Sequence, residues 1–567
     1  MIQVCKNSIV ADDFHGFLHH ICEGTEQIWR MKKMSELQNN EVQQCIQGSA
    51  DTFRRADWFR KLAVPSLIYA VLYTVFTYDN EFGIGILAWI AATVIYAVYL
   101  LRKSDIQLKK DSVFYLVIMG LLGISTIFTT NGWLIWCNHM GFCLLLVYFL
   151  LLQTCDTGKW SIWEAVCGIL LAIIGSLSKL ATPFTEGYSW LRTRDPDSSK
   201  NEKRRLIFIG IMLSIPALFI LGSLLMSADA VFGNMLQNLC FNWELPSGIF
   251  SIILTFLFGL FASYCGMHYL LETSSERVVQ PPKKQPALIA QIFTTAILVL
   301  YLWFCLVQVV YLFAGFGTLP DGMTYAQYAR SGFFQLLFVC MINLILVLSV
   351  KRCFETSVYL NRVLFAICLC SYMMTASSAY RMILYIRAYH LTVLRIVVLV
   401  ALATIAVLLA GVCRHIFSAD FRILPFCIIV ISTVYTLFSF ANTDRFVACY
   451  NLAHLTEKNA TETFHYLETL SLDAVPAVLH FLETADEDSY ASDLRKAILE
   501  KDSFSDNISI EKNFVDWFDN NDHDAYSGWL SRWLSGYQNV LTDNGPKTWN
   551  ISVYRAKCAV RHFFSQN

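Results

Sequence analysis

The sequence predicts an all-α fold, a polytopic membrane bundle of about eleven spanning helices, possibility of a twelfth included, with a small helical soluble C-terminal tail. Three observations predict it. The 567 residues are 56% hydrophobic and only 15% charged, where a soluble chain carries about 25% charged residues, and mean hydropathy is +0.48. The apolar runs are continuous and approach the roughly 20 residues that a helix needs to cross a bilayer. They do not alternate as barrel strands do, and in lipid only helices or closed barrels satisfy the backbone. Finally, Lys and Arg gather in some connectors and are missing from others, as topology requires of a multi-pass protein.

Taken in order, residues 1–61 form a cytoplasmic lead with amphipathic patches. Its start, "MIQVCKNSIVADDFHGFLHH", lacks the basic opening and continuous apolar core of a signal peptide. Residues 62–441 form the transmembrane domain. Spans are predicted at 62–78, 83–101, 112–130, 133–153, 206–226, 247–271, 287–315, 332–350, 358–375, 392–413 and 422–441. A twelfth candidate, 162–180, carries Glu164 and Lys179 near its ends. Residues 442–567 form a mainly helical, extracytoplasmic C-terminal domain. Its segments "ATETFHYLETL", "DAVPAVLHFLETA", "ASDLRKAILE" and "SGWLSRWLSGYQNVL" have helical spacing. Asp473 is expected to cap a helix that tolerates Pro476 in its first turn. The tail tryptophans Trp517, Trp529, Trp533 and Trp549 suit either a small core or a membrane surface.

Basic residues assign the sides. They cluster at Arg102, Lys103, Lys109 and Lys110, again from Arg192 to Arg205, then at Arg277, Lys283, Lys284, Lys351, Arg352 and Arg414. If 162–180 crosses the membrane, the clusters before and after it face opposite sides. If it lies in the interface or dips in and returns, all are cytoplasmic, and this reading is preferred. Eleven spans then put the N-terminus inside and the tail outside. From residue 453 onward the tail holds 10 Lys and Arg against 18 Asp and Glu, a net of −8, which is compatible with export.

The chemistry-bearing patterns are few. There is no H-E-x-x-H, P-loop or G-x-S-x-G pattern, so no catalytic residue, metal site or cofactor is predicted. The formal net charge of −1 and the absence of a basic domain predict no nucleic-acid partner. Half of the 18 cysteines lie in apolar runs, where they act as small hydrophobes, and no C-x-x-C occurs. Cys240, Cys449 and Cys558 are the disulfide candidates. Asn138 and His139 read either as interhelical hydrogen bonding or as a proton relay, with the first preferred. His268 and Arg362 lie near span ends, within reach of the interface.

Polar clusters collect at the predicted outer ends. They hold Asp229, then Asp321, Tyr325, Tyr328 and Arg330, then "SSAYRMILYIRAYHLTVLR" (377–395), then Asn442, Asp444, Arg445, Tyr450 and Asn451. If 380–395 is one helix at about 100° per residue, Tyr380, Arg381, Arg387 and Arg395 share a face about 120° wide. Two readings stay open for that face. It forms a salt-bridged collar with Asp229, Asp321 and Asp444, or it binds an anionic ligand or lipid headgroup, which guanidinium groups suit.

The stretches "LLMSADAVFG", "LPDGMTYAQYARSGFFQL", "SSAYRMILYIRAYHLTVLR", "FANTDRFVACYNL" and "LSLDAVPAV" resemble, in order, bacterial multi-spanning membrane proteins of the domain-of-unknown-function 4153/4173 group. The resemblance covers roughly residues 60–480. It implies a bacterial cytoplasmic membrane protein and supplies no activity. The expected function is that of a non-enzymatic sensor, scaffold or accessory subunit of an envelope process, with membrane lipids and other membrane or envelope proteins as partners. The alternatives are a transporter or lipid-handling protein using the outer arginines, and a membrane enzyme acting on lipid-linked substrates.

Overall fold

The computed structural model describes residues 52–80, 82–155, 160–194, 248–272, 284–310, 332–418, 420–456, 460–484 and 545–566, with residue 157 and isolated positions in 207–235 and 533–541. Among the described residues the bundle comprises α1 Thr52–Thr77, α2 Ile84–Lys103, α3 Val113–Ser125, α4 Gly132–Thr154, α5 Ile162–Ser178, α6 Thr182–Arg194, α7 Ile249–Glu272, α8 Ala287–Gln308, α9 Phe333–Cys353, α10 Val358–Tyr389, α11 Val393–Phe417 and α12 Ile423–Phe440. The tail adds α13 Thr443–Ala453, α14 Ala460–Leu467, α15 Val475–Glu483 and α16 Ile551–Gln566. No strand occurs among the described residues; one isolated bridge joins Gln285 and Phe354.

Among the described residues, nine helices are long and apolar enough to cross a membrane: α1, α2, α4 and α7–α12. The broken pair Ile162–Ser178 and Thr182–Leu191 makes ten if it counts as one span. Of the eleven predicted spans, 112–130 shortens to the 13-residue α3, about 20 Å long. The predicted span 206–226 lies outside the described residues except at isolated positions. The span predicted at 358–375 runs on to Tyr389 as a 32-residue helix, about 48 Å, so α10 is longer than the hydrocarbon core is thick.

By packing, the chain forms two units, Met1–Leu67 with Ser178–Ser247, and Ile68–Leu177 with Gly248–Asn567. In the first, the Phe59 ring packs on Trp190 of α6 at 5.6 Å between centroids. The second holds most of the bundle and the tail. Its core between α8, α9, α10, α11 and α12 is built from Leu336, Cys340, Leu364, Ile367, Leu409 and Val412. Polar side chains inside it are bonded to one another, as burial without partners is costly. Tyr301 donates to Asn343 Oδ1 at 2.7 Å, and Asn343 Nδ2 donates to Ser371 at 2.9 Å. Asn138 behaves likewise: it donates to Ser125 and accepts from Tyr435 and Ser439, joining α3, α4 and α12.

The second unit has two distinguishable ends. One is basic. Arg102, Lys103, Lys351, Arg352 and Arg414 occupy the last turns of α2, α9 and α11, where cations also complement the helix dipole. There Lys109 N donates to Gln153 Oε1 at 2.9 Å, and Gln285 pairs with the backbone around Phe354.

Helix α5 runs along this basic end. Trp163 Nε1 donates to Ser349 Oγ at 3.1 Å, four residues from the end of α9. Gly168 faces Leu151, three from the end of α4, and Gly175 lies under the Tyr269 ring, three from the end of α7. A helix passing through the bundle would have risen about 18 Å between Trp163 and Gly175, away from those helix ends. The buried side of α5 is Ala165, Gly168 and Ala172, and its other side exposes Leu170, Leu171, Ile174 and Leu177.

At the opposite end the tail packs onto the bundle. Its core combines Val447, Leu452, Leu472, Val475, Trp533, Val553 and Phe563 with Leu391 from the turn between α10 and α11. Trp533 is buried and donates its indole N–H to the Leu470 carbonyl at 2.8 Å, whereas Trp549 is half exposed. Trp517, Trp529 and the segment 491–500 lie outside the described residues. Cys449 and Cys558 are free and exposed, and Cys240 is outside the described residues.

Candidate functional site: a polar junction between tail and bundle

Three bundle turns meet the tail. The first precedes α2. Gly83 has φ 88, and a Cβ there would lie 2.7 Å from the Trp549 carbonyl oxygen, so only glycine lets the strands of chain approach this closely. Ile84 N and Gly85 N donate to the Trp549 and Lys547 carbonyls at 3.2 and 2.9 Å.

The second turn joins α3 to α4. The short polar run Thr129-Thr130-Asn131 ends one apolar helix and starts the next. Asn131 caps α4 by accepting from Leu134 N at 3.1 Å. Its Nδ2 donates to both oxygens of Asp444, at 3.0 and 3.1 Å. Asp444 also accepts from Ser471 N at 2.9 Å. Asp473 reaches the same turn: Oδ1 accepts from Thr130 N (2.9 Å) and Thr130 Oγ1 (2.7 Å), and Oδ2 accepts from Thr129 Oγ1 (2.7 Å). Asn550 completes it, donating to the Thr126 and Thr129 carbonyls at 2.9 Å each while its Oδ1 accepts from Ser552 N, so that it caps α16.

The third turn joins α10 to α11. His390 ends α10 with φ 65. Asn451 holds the next residue in both directions, with Leu391 N donating to Oδ1 and Nδ2 donating to the Leu391 carbonyl, each at 2.9 Å. Val393 N donates to the Tyr466 hydroxyl at 2.9 Å.

Asp444 and Asp473 are 1% and 4% exposed. Burial pushes the Asp473 carboxyl above the usual carboxylate range. The Thr129, Thr130 and Ser552 hydroxyls pull it back, and the Asp444 charge pushes it further up.

The arginine face expected from one continuous helix over 380–395 does not form, because the chain turns at His390. Arg381 is buried within the bundle and donates to Gln308 Oε1 at 3.1 Å, which also accepts from Ser377. Tyr380 and Arg387 are exposed on α10. Arg395 belongs to α11, where its guanidinium lies 4.1 Å from the Tyr385 ring centroid and donates to the Tyr389 and His390 carbonyls, satisfying the open end of α10.

The expected aspartate partners also separate. Asp444 takes Asn131 and Ser471 rather than an arginine. Asp229 belongs to the other unit, exposed, with Oδ1 accepting from Phe232 N at 3.4 Å. Asp321 and Arg330 lie outside the described residues. Asn442 sits at the N-cap position of α13 with φ 46, and its side chain makes no cap. Asp473 does not cap α15; its carboxylate reaches across to the α3–α4 turn, and Ala474 occupies the cap position. Of the outer polar clusters read from the sequence, Asp444 and Asn451 enter the tail junction, and Asp473 enters it in a role other than the expected cap. Thr129, Thr130, Asn131 and Asn550 were missed. The signal for the first three is a short polar run with a helix-capping asparagine between two apolar helices.

No group of three or more His, Cys, Asp or Glu side chains among the described residues is placed to hold a metal ion. No curated protein and no solved structure matches the chain. The model of a domain of unknown function, DUF4153, matches residues 116–480, which includes the α3–α4 turn, the α10–α11 turn, Asp444 and Asp473. This multi-pass helical membrane protein therefore belongs to the DUF4153 family.

Proposed function

We propose that this protein is a non-enzymatic sensor or scaffold of the bacterial envelope, placed in the cytoplasmic membrane with its N-terminus inside and its tail outside. The observation that carries the reading is the attachment of the tail to three separate bundle turns through buried polar groups. A partner or stress that shifts the tail must rearrange those bonds, so the shift reaches α2, α3, α4, α10 and α11 together. Close packing makes such a junction switch between discrete arrangements rather than deform smoothly. The concentration of Lys and Arg at the other end supports the orientation.

Two measurements test it. A membrane-impermeant maleimide applied to intact cells should label the exposed tail thiols Cys449 and Cys558, with peptide mapping showing the Cys558 label lost in Cys558→Ser; labelling of both only after permeabilisation overturns the orientation. A deletion strain should show altered tolerance to envelope-directed stress, restored by the wild-type chain and not by a membrane-inserted Asp473→Ala chain. Full restoration by that variant removes the tail junction from the function.

A further inference from the structure

Helices α9, α11 and α12 enclose a crevice of about 560 Å³, with Trp133 of α4 at one side and Ile162, Trp163 and Val166 of α5 at the basic end. Its back wall is α11, where Val397, Ala401, Leu408 and Val412 line it. From Val397 to Val412 the wall is about 22 Å long, against about 15 Å for half the hydrocarbon core. The two hydroxyls in the lining are already committed: Thr404 donates to the Val400 carbonyl at 2.8 Å and Tyr435 to Asn138 at 2.7 Å. The crevice therefore suits a hydrocarbon chain and offers nothing to a polar ligand. Its rim residues Met341, Ile345 and Ile431 are exposed, so it opens sideways, toward lipid.

The basic end supplies a different chemistry. Along α9, Met341, Ile345, Leu348 and Arg352 follow at intervals of four, three and four, so all lie on one face. Arg352 thus continues the crevice wall by one turn. Its guanidinium pairs with Glu164 of α5, while its Nε–H is buried and has no acceptor among the described residues. Glu164 has other donors in Ser161 N and Ser161 Oγ, so it does not depend on Arg352. The neighbouring Lys351 is already committed, with Nζ donating to Asn361 Oδ1 at 3.3 Å and to the Ile416 carbonyl at 3.1 Å, which leaves Arg352 as the group that faces the groove end.

A hydrocarbon groove that ends at a guanidinium matches an amphiphile with an anionic head. We infer that the crevice holds one acyl chain of an anionic glycerophospholipid, with its phosphate at Arg352, where a guanidinium offers paired donors. The site is separate from the tail junction, and its test does not depend on the sensor reading.

The experiment uses the full chain in liposomes that contain phosphatidylglycerol with a diazirine on one acyl chain, and peptide mapping after photolysis. Label should concentrate on α9 and α11. Filling the crevice by Ala401→Phe should remove that label while the melting temperature stays at the wild-type value; Ile345→Trp, at the exposed rim, serves if the first variant does not fold. Arg352→Gln should weaken the preference for phosphatidylglycerol over phosphatidylcholine about fivefold, the worth of one basic group near an anionic surface. Three results overturn the inference: label spread evenly around the bundle, label retained in the filled variants, or equal labelling by phosphatidylcholine. A dimer in native mass spectrometry with no retained lipid, its crevice protected by a second copy, overturns it as well.

Discussion

Replacing Asp473 by alanine should loosen the tail from the α3–α4 turn. The carboxylate accepts three hydrogen bonds there, from Thr129 Oγ1, Thr130 Oγ1 and Thr130 N, at 2.7–2.9 Å. The two hydroxyls can rotate toward other acceptors. The Thr130 amide cannot, and Thr130 is 7% exposed. Leaving one buried donor unsatisfied costs about 1–3 kcal/mol, and a hydrogen bond to a charged acceptor is worth about 1.5–3 kcal/mol. Relief from burying the carboxylate offsets part of this. The net expectation is about 3 kcal/mol, which corresponds to roughly a hundredfold in an opening equilibrium. Amide hydrogen exchange on the purified, folded protein reads it directly, because exchange at Thr130 should accelerate by about that factor. Amides in the centres of α9 and α10 should keep their wild-type rates. A Thr130 rate within about threefold of wild type would refute the argument that this carboxylate fastens the tail.

Three further outcomes follow from the same geometry. Asp473 has its folded pKa raised by burial, so between the unfolded and folded values the folded state holds a proton that the unfolded state lacks. Stability of the junction is then complete below the unfolded pKa and declines as pH rises through the folded one. Exchange at Thr130 should slow as pH falls through the folded value toward the unfolded one, after correction for intrinsic rates, and Asp473→Asn should flatten that response; a wild-type junction that tightens with rising pH contradicts the sign. Asn550→Ala removes the α16 cap and two bonds to the Thr126 and Thr129 carbonyls, a loss of about 2–4 kcal/mol, measurable as faster proteolysis of the C-terminal helix with the bundle intact. Gly83→Ala forces a Cβ against the Trp549 carbonyl at positive φ, costing about 1–3 kcal/mol, and should lower the melting temperature, whereas Gly120→Ala, in open space on α3, should leave it unchanged.

Much of the architecture was legible in the residues. Continuous apolar runs identify helices such as α2, α4 and α11 because a lipid-facing helix must be apolar over its whole length. The basic turns at Lys103, Arg352 and Arg414 mark one end for electrostatic reasons that act locally. The short helices α14 and α15 follow from spacing alone. The arginine face was not legible correctly. It assumed a helix through His390, and nothing in the local sequence shows that Asn451 and Tyr466, 60 residues from Leu391 and 73 from Val393, offset a break there with hydrogen bonds.

The same distinction separates what each level determined about this protein. By itself the sequence determined that the chain lives in lipid, that it is helical, where most of its long helices run and which loops are basic. Those properties depend on transfer free energy summed over consecutive residues. Only the tertiary structure decided that α5 lies along the basic end, that Arg381 turns into the bundle, and that Asp444 and Asp473 bind the α3–α4 turn. Each of these depends on pairing between groups as far apart as Thr130 and Asp473, 343 residues distant in the chain. A carboxylate that is an ordinary surface acid in water becomes a fastener when a buried turn presents it with donors. That outcome is set by the partner's position in space, which no local pattern encodes.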